Sequence, residues 1–454
     1  MEARRIIVVG GNAAGAAAAA KAARFNPTAK VTILEAGEFI STGTCELPYV
    51  LSGEIGDYKK VVFFDEKTFK SEKGVEVLTN SPVTSIDRRR KEVTFLTNNQ
   101  ETTLPYDKLI LCTGSKNRLP DMNKLIPSLE KNETVENFYS FKSVADLIKV
   151  DREVKSARHK RVVILGSGYI GLELCESFRT LSFEVFLIEK VNRIFPSGEE
   201  EVSEIIKEIL KSENFRAYTN PANFKFRTSG GRITNLVIEG YDFEIDFVIN
   251  ATGVIPNNDL AEACKLEIGD FGGLRGSSKM QTSDPNIYAA GDNTESINFL
   301  TRRPMYLPLA TIARKGGHVA GENAAGGNSY LKPVIPASAL KFFSAYLGFT
   351  GLNFTDAKGY FRNVKSVHAT HRNLIHVMPG SRPLWGKIIY DADKRILGGS
   401  FAGGPEVSGL TDLISTTIRF GIPADKLEEI DFNYTPALSP FINILSILSR
   451  KVKS

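Results

Sequence analysis

Cys45 is the side chain best suited to carry chemistry in this sequence. It lies in Ser41-Thr42-Gly43-Thr44-Cys45-Glu46-Leu47-Pro48-Tyr49, just beyond a strand, glycine turn and helix pattern. A thiolate is a nucleophile and an electron carrier, and Pro48 suits the first turn of a helix that would hold the sulfur in place. The other cysteines, Cys112, Cys175 and Cys264, are far away in sequence and form neither a C-x-x-C redox pair nor a zinc spacing with it. A cycling Cys45 must therefore pair with something outside the chain, a small thiol or an oxygen atom. The competing reading is a small buried residue, the usual state of a free cysteine.

The elements that would position Cys45 come in two matching sets. Ile6 to Val9 is a continuous apolar run of the buried parallel-strand kind, followed by Gly10-Gly11-Asn12-Ala13-Ala14-Gly15 and an Ala-rich helix from Ala16 to Phe25. Val31 to Leu34 then forms a strand ending in Glu35, where an acid meets a ribose hydroxyl in dinucleotide folds. Asn12 occupies the middle glycine of the G-x-G-x-x-G fingerprint, so this copy is imperfect. The second copy is complete: Arg161 to Leu165, then Gly166-Ser167-Gly168-Tyr169-Ile170-Gly171, a helix from Leu172 to Leu181, and a strand from Val185 to Ile188 ending in Glu189. In each unit the helix N-terminus would carry a pyrophosphate on its unpaired N–H groups. Glu189 favours NAD over NADP by repelling a 2′-phosphate, while Lys190 beside it leaves room for either.

Each unit also repeats a strand ending in Thr-Gly, at Thr113-Gly114 and Thr252-Gly253. A further strand runs through Ile287 to Ala289 and delivers Asp292 at a glycine turn ahead of an apolar helical stretch from Leu307 to Ala325. Composition bounds the rest. A chain of 454 residues, 42% hydrophobic and 24% charged, holds two or three domains. A net charge of +5 in short basic runs, without interleaved aromatics, argues against nucleic acid. No apolar run approaches the ~20 residues of a membrane span. Four cysteines and a start that runs straight into a strand pattern fit a reducing cytoplasm.

On these motifs the chain resembles, over nearly its full length, the FAD-dependent pyridine nucleotide–disulfide oxidoreductases. The Cys-x-Leu-Pro-Tyr wording is similar to their single-cysteine branch, closest to coenzyme A disulfide reductases and NADH-dependent persulfide reductases. The resemblance implies an α/β fold with two Rossmann-like, glutathione reductase-type nucleotide-binding domains and a C-terminal α+β dimerisation domain. It places the FAD domain at residues 1–117 and 257–328, the NAD(P) domain at 118–256 and the dimerisation domain at 329–454. It assigns Gly10, Asn12, Ala13, Ala14, Gly15, Glu35, Thr113, Gly114 and Asp292 to FAD, with Asp292 on the ribityl chain. It assigns Gly166, Gly168, Tyr169, Ile170, Gly171, Glu173, Glu189 and Gly253 to NAD(P)H, with Tyr169 as a gate to the nicotinamide pocket and Glu173 as a nicotinamide contact. Ser41, Thr44 and Arg24 would meet the substrate; Arg24, Lys70 and Lys73 are candidates for the phosphates of a coenzyme A-like substrate, with ordinary surface charge the stronger competing reading for each. Cys112 and Cys175 read as core residues, Cys264 as a helix end.

The activity implied is transfer of hydride from NAD(P)H through FAD to Cys45, which reduces a small thiol disulfide or persulfide such as coenzyme A disulfide. The flavin, a helix N-terminus or a nearby cation would lower the thiol pKa. None of the five histidines stands where a catalytic base is expected, so Tyr434, reaching across a homodimer, or the leaving thiolate itself would handle the proton. The segment after Tyr434 departs from the family pattern, and Met378 replaces an expected tyrosine before Pro379-Gly380. Two alternatives stand beside this reading: an NADH oxidase or peroxidase cycling Cys45 through a sulfenic acid, and a non-enzymatic flavin redox sensor. Dimerisation rests on the resemblance and on the apolar tail from Phe441 to Leu448, which reads equally as an internal core helix.

Overall fold

The computed structural model describes residues 4–127 and 135–453. Its first sheet is parallel, in the order Ile287–Ala289, Lys108–Leu111, Arg5–Val9, Lys30–Leu34, Glu76–Leu78. The second repeats that plan with Phe138–Ser140, Phe247–Asn250, Arg161–Leu165, Glu184–Glu189 and Arg216–Thr219. In both, the fingerprint strand is central and covered on both faces, and Ile6, Val8, Val162, Val163 and Ile164 have no exposed surface. Each parallel sheet carries a three-stranded antiparallel meander, Val83–Asp87 to Gln100–Pro105 in the first and Phe224–Ser229 to Tyr241–Glu244 in the second. The fold is thus α/β with two Rossmann-like units.

The two Thr-Gly segments meet where the chain crosses between the units. Ser115–Asn117 pairs antiparallel with Val254–Pro256, and the Thr113 hydroxyl donates to the Asn257 carbonyl at 2.6 Å. The remaining portion forms an antiparallel sheet in the order Ala337–Phe342, Ala345–Gly351, Ile396–Gly403, Pro383–Tyr390, Lys365–Arg372. Helices Glu406–Phe420 and Ile444–Lys453 lie against it. The tail settles as the core reading: Ile444, Leu445, Leu448 and Val452 are buried against this sheet, while Phe441 and Ile442 stay exposed.

The first fingerprint helix, Ala13–Phe25, packs on helix Ala310–Ala324, which follows the Asp292 turn. Its alanines let the two backbones nearly touch. A Cβ on Gly317 would fall 2.3 Å from the Ala14 carbonyl oxygen, and one on Gly321 2.1 Å from that of Ala18. No side chain at either position could move aside, because the obstacle is backbone. Gly321→Ala should therefore push the helices apart and destabilise the protein by about 2 kcal/mol, read as a lowered urea midpoint; an unchanged midpoint would refute this packing.

Candidate active site at Cys45

Two anchors hold Cys45. On its N-terminal side, strand Ile40–Thr42 pairs with Val62–Phe64 and lies over the first fingerprint turn. The Ser41 N–H donates to the Gly11 carbonyl at 2.9 Å, with Ser41 held at a left-handed φ of 49°. Asn12 explains why glycine is absent from its position: its amide donates to the Thr42 hydroxyl at 2.9 Å, and its carbonyl oxygen accepts the Thr42 N–H at 3.0 Å. An Asn side chain thus clamps the thiol loop to the nucleotide turn, which a glycine could not do.

On the C-terminal side, Glu46 begins the short helix Leu47–Leu51, with Pro48 in its first turn. Leu47, Leu51 and Val61 are buried in a core shared with the second fingerprint helix Tyr169–Thr180 and with Leu340, Phe342 and Trp385 of the C-terminal sheet. The Ser177 hydroxyl donates to the Pro48 carbonyl at 2.9 Å, tying the two helices directly. The thiol is therefore held where both nucleotide units and the C-terminal sheet converge. Among the four free cysteines only Cys45 is exposed. Cys112 and Cys175 are core residues as expected, with burial pushing the Cys112 thiol up to about 12, and Cys264 ends the helix Asp259–Ala263.

The thiol pKa moves against expectation. Cys45 is raised, not lowered: crowding by the surrounding protein comes first, although the residue is solvent-accessible, and the carboxylates of Glu46, Glu173 and Asp292 add to it. These acids come from three separate segments, so the sequence did not display them together. Burial and Glu176 push Glu173 itself up to about 7, and burial with Glu173 and Glu176 pushes Tyr49 up to about 12. Glu176 is held by Lys341 and by the Phe343 N–H at 2.7 Å.

The nucleotide positions are arranged as two similar seats. Helices Ala13–Phe25 and Tyr169–Thr180 both begin without a side-chain cap and without an acid in the first turn, leaving the first N–H groups open toward an anion. A Cβ on Gly15 would sit 1.8 Å from the Gly10 carbonyl oxygen, and one on Gly171 2.0 Å from that of Gly166, so each helix presses onto its turn. Glu35 accepts the Gly11 and Gly37 N–H groups at 2.7 and 2.8 Å. Glu189 is nearly buried, accepting from the Ser167 N–H and hydroxyl at 2.9 and 2.8 Å and from the Val191 N–H at 3.1 Å. Each carboxylate keeps a lone pair for a ribose hydroxyl, so donors, dipoles and acids fit a dinucleotide in both places. Ala13 and Ile170 are exposed in the first turns, Ala14 is buried, and Gly168 caps the second helix.

Other expected residues stand as follows. The Tyr169 hydroxyl hydrogen-bonds Ser338 Oγ at 2.6 Å, and its ring meets Phe195 and Phe349 edge-on at 5.0 and 6.3 Å. Thr44 is half-buried beside Cys45. Arg24 is exposed on the first helix and, with Arg314 and Lys21, contributes to the low pKa of His318, which burial lowers first. Lys70 and Lys73 are spent on Glu76 and Glu72. Tyr434 is exposed and stacks edge-on with Phe441 at 5.3 Å; it is not among the groups acting on Cys45 within this chain. Gly114 and Gly253 have left-handed φ of 69° and 105° in the crossing segments.

Two of the acids near Cys45 can be removed without disturbing a buried partner. Glu46→Gln and Glu173→Gln should each speed alkylation of Cys45 several-fold at pH 8, because a neutral neighbour no longer opposes the thiolate. With Glu173 titrating near 7, its effect should fade below pH 6, where the wild-type carboxyl is already protonated. Peptide-resolved mass spectrometry of iodoacetamide-treated protein measures this, and slower alkylation in both variants would contradict the assigned electrostatics.

Comparison with known proteins agrees with this geometry. The family model described as pyridine nucleotide-disulphide oxidoreductase matches residues 4–317. An NAD(P)H sulfur oxidoreductase (CoA-dependent) of Pyrococcus abyssi is 30% identical over 99% of this chain and 98% of its own. The structure of an NAD-dependent persulfide reductase from A. fulgidus superposes with a TM-score of 0.92 at 30% identity, covering 99% of this chain and 83% of that one. A water-forming NADH oxidase from Lactobacillus brevis gives 0.90 at 27% identity, covering 99% and 98%. With both fingerprints, the thiol loop and the Asp292 turn in the arrangement described, this chain belongs to the pyridine nucleotide-disulphide oxidoreductase family.

Proposed function

We propose that this protein is an FAD-dependent NAD(P)H oxidoreductase in which Cys45 reduces a small thiol disulfide or persulfide, such as coenzyme A disulfide. The observation that carries the reading is the position of Cys45, an exposed thiol clamped to one nucleotide turn through Asn12 and to the second nucleotide helix through Ser177. The first seat, with Gly10 to Gly15, Glu35, Thr113, Gly114 and Asp292, would hold FAD. The second, with Gly166 to Gly171, Glu173, Glu189 and Gly253, would hold NAD(P)H, with Tyr169 closing its pocket. These placements correspond to an FAD domain at 1–117 and 257–328, an NAD(P) domain at 118–256 and a C-terminal domain at 329–454.

When bound, FAD supplies the electron pair, taken from NAD(P)H, that returns the Cys45 sulfur to its thiolate. The protein's own part is nucleophilic displacement. The Cys45 thiolate attacks one sulfur of R–S–S–R, forming Cys45–S–S–R and expelling R–S⁻. Glu173, protonated for part of the time near neutral pH, lies close enough to Cys45 for its charge to be felt there. Ser41 and Thr44 flank the thiol, and Arg24 with its basic neighbours suits the phosphates of a coenzyme A-like substrate. Tyr434 would act from a partner subunit, and the exposed Tyr434, Leu438 and Phe441 support a homodimer. A thiol left free and exposed at Cys45 suits a cytoplasmic setting. No helix among the described residues is long and apolar enough to cross a membrane.

A second reading, NADH oxidase or peroxidase through a Cys45 sulfenic acid, is favoured by the match to the water-forming NADH oxidase. The two differ in what the sulfur carries. Intact mass spectrometry should show a coenzyme A-sized adduct on Cys45 under the first reading and a single added oxygen under the second. NAD(P)H consumption driven by coenzyme A disulfide or polysulfide should vanish in Cys45→Ser; persistence would remove the thiol from the mechanism. Glu189→Gln should narrow the preference of kcat/KM for NADH over NADPH by roughly tenfold, since a near-buried charge no longer opposes a 2′-phosphate; an unchanged ratio would place the discrimination elsewhere.

A further inference from the structure

Lys142 belongs to no fingerprint, yet the chain fixes it with care. It precedes helix Val144–Ser156, whose start is a capping box: the Ser143 side chain accepts the Asp146 N–H, and the Asp146 carboxylate accepts the Ser143 N–H. The Lys142 N–H donates to the same Asp146 oxygen at 3.0 Å, and Phe141 before it is buried in the core. So anchored, the ammonium group leaves the second nucleotide unit and reaches across to Ser115. It donates to the Ser115 carbonyl and, at 2.6 Å, to the Ser115 hydroxyl. That hydroxyl donates to Asp292 Oδ2 at 3.0 Å.

The result is an ion pair bridged by one buried hydroxyl, with its negative end at the Asp292 turn. We propose that Lys142 is a positioning residue for the flavin seat and the thiol, orienting the Asp292 carboxylate through Ser115 and offsetting its charge. The inference rests on the reading of Asp292 as an FAD ligand and deepens it. With Oδ2 committed to Ser115, the other oxygen is left for a cofactor hydroxyl in a fixed direction. The Tyr306 hydroxyl, shut off from solvent beside Ser115, feels the same carboxylate. Asp292 also opposes the Cys45 thiolate, after burial, Glu46 and Glu173, so whatever balances Asp292 bears on both cofactor and sulfur. Burial outweighs the attraction of Asp292 and Asp146 and leaves the Lys142 pKa below the usual lysine range, the mark of a desolvated cation with acidic partners.

The test uses full-length apoprotein and two readouts, FAD affinity by fluorescence titration and the rate of Cys45 alkylation at pH 8. Lys142→Met and Ser115→Ala should each weaken FAD binding on the order of tenfold, with little further loss in the double variant because the residues act in series. Lys142→Met should also slow Cys45 alkylation several-fold, since Asp292 then acts unbalanced, and Lys142→Arg should restore most of both effects. A merely structural role would loosen the loop and speed alkylation, so the sign separates the two. Ser115→Ala removes a single hydroxyl and keeps the test available should Lys142→Met fold poorly. FAD affinity within about twofold of wild type in both variants, or faster alkylation in Lys142→Met, overturns the proposal while leaving the flavoprotein reading intact. Wild-type protein that binds no FAD overturns both.

Discussion

One sulfur atom must stand where two nucleotide-binding units and a third sheet converge, and the rest of the chain is arranged around that demand. A loop alone would not hold it. The Asn12 amide fixes the segment before Cys45 to the first turn, and a buried helix fixes the segment after it to the second unit. Burying Leu47, Leu51 and Val61 contributes on the order of 1.5–3 kcal/mol each, which far exceeds what one exposed turn would lose by fraying. The thiol loop is thus tied to the cores on either side of it.

The same convergence brings acids together. Glu46 arrives with the thiol, Glu173 with the second fingerprint helix and Asp292 with the edge strand Ile287–Ala289 of the first sheet. Burial first and then their joint field oppose the Cys45 thiolate, while burial and Glu176 raise Glu173 itself to about 7. Positive charge enters at the edges of this acidic basin, from Lys341 against Glu176 and from Lys142 through Ser115. Electrostatic control of Cys45 is therefore shared among segments hundreds of residues apart.

That dispersal explains what the sequence could and could not reveal. The two parallel sheets were legible because strand, glycine turn, helix and terminal acid recur at fixed local spacing, and each step has a local physical cause. Cys45, Glu35, Glu189 and Asp292 were legible as ends of such local units. Asn12 was visible as a departure, but its clamp on Thr42 needs the loop folded back over the turn. The rise in the Cys45 pKa was missed for the same reason, since only Glu46 adjoins it in sequence. The Ser143–Asp146 cap could have been read from its spacing; the reach of Lys142 to Ser115 could not. In the C-terminal portion the choice between core and interface for the tail depended on which face of helix Ile444–Lys453 met the sheet.

The inventory of thiols then constrains the chemistry. Cys112 and Cys175 are enclosed within the cores of the two nucleotide units, and Cys264 ends a helix packed in the first unit's second cluster. None of the three stands in the groups that act on Cys45. A covalent species formed on Cys45 has no second thiol of this chain to resolve it, which leaves electrons from the cofactor seat or a small thiol from solution to discharge it. An exposed sulfur with rigid anchors on both sides serves either route: the anchors fix its approach to the cofactor seat, and the exposure admits a substrate from outside.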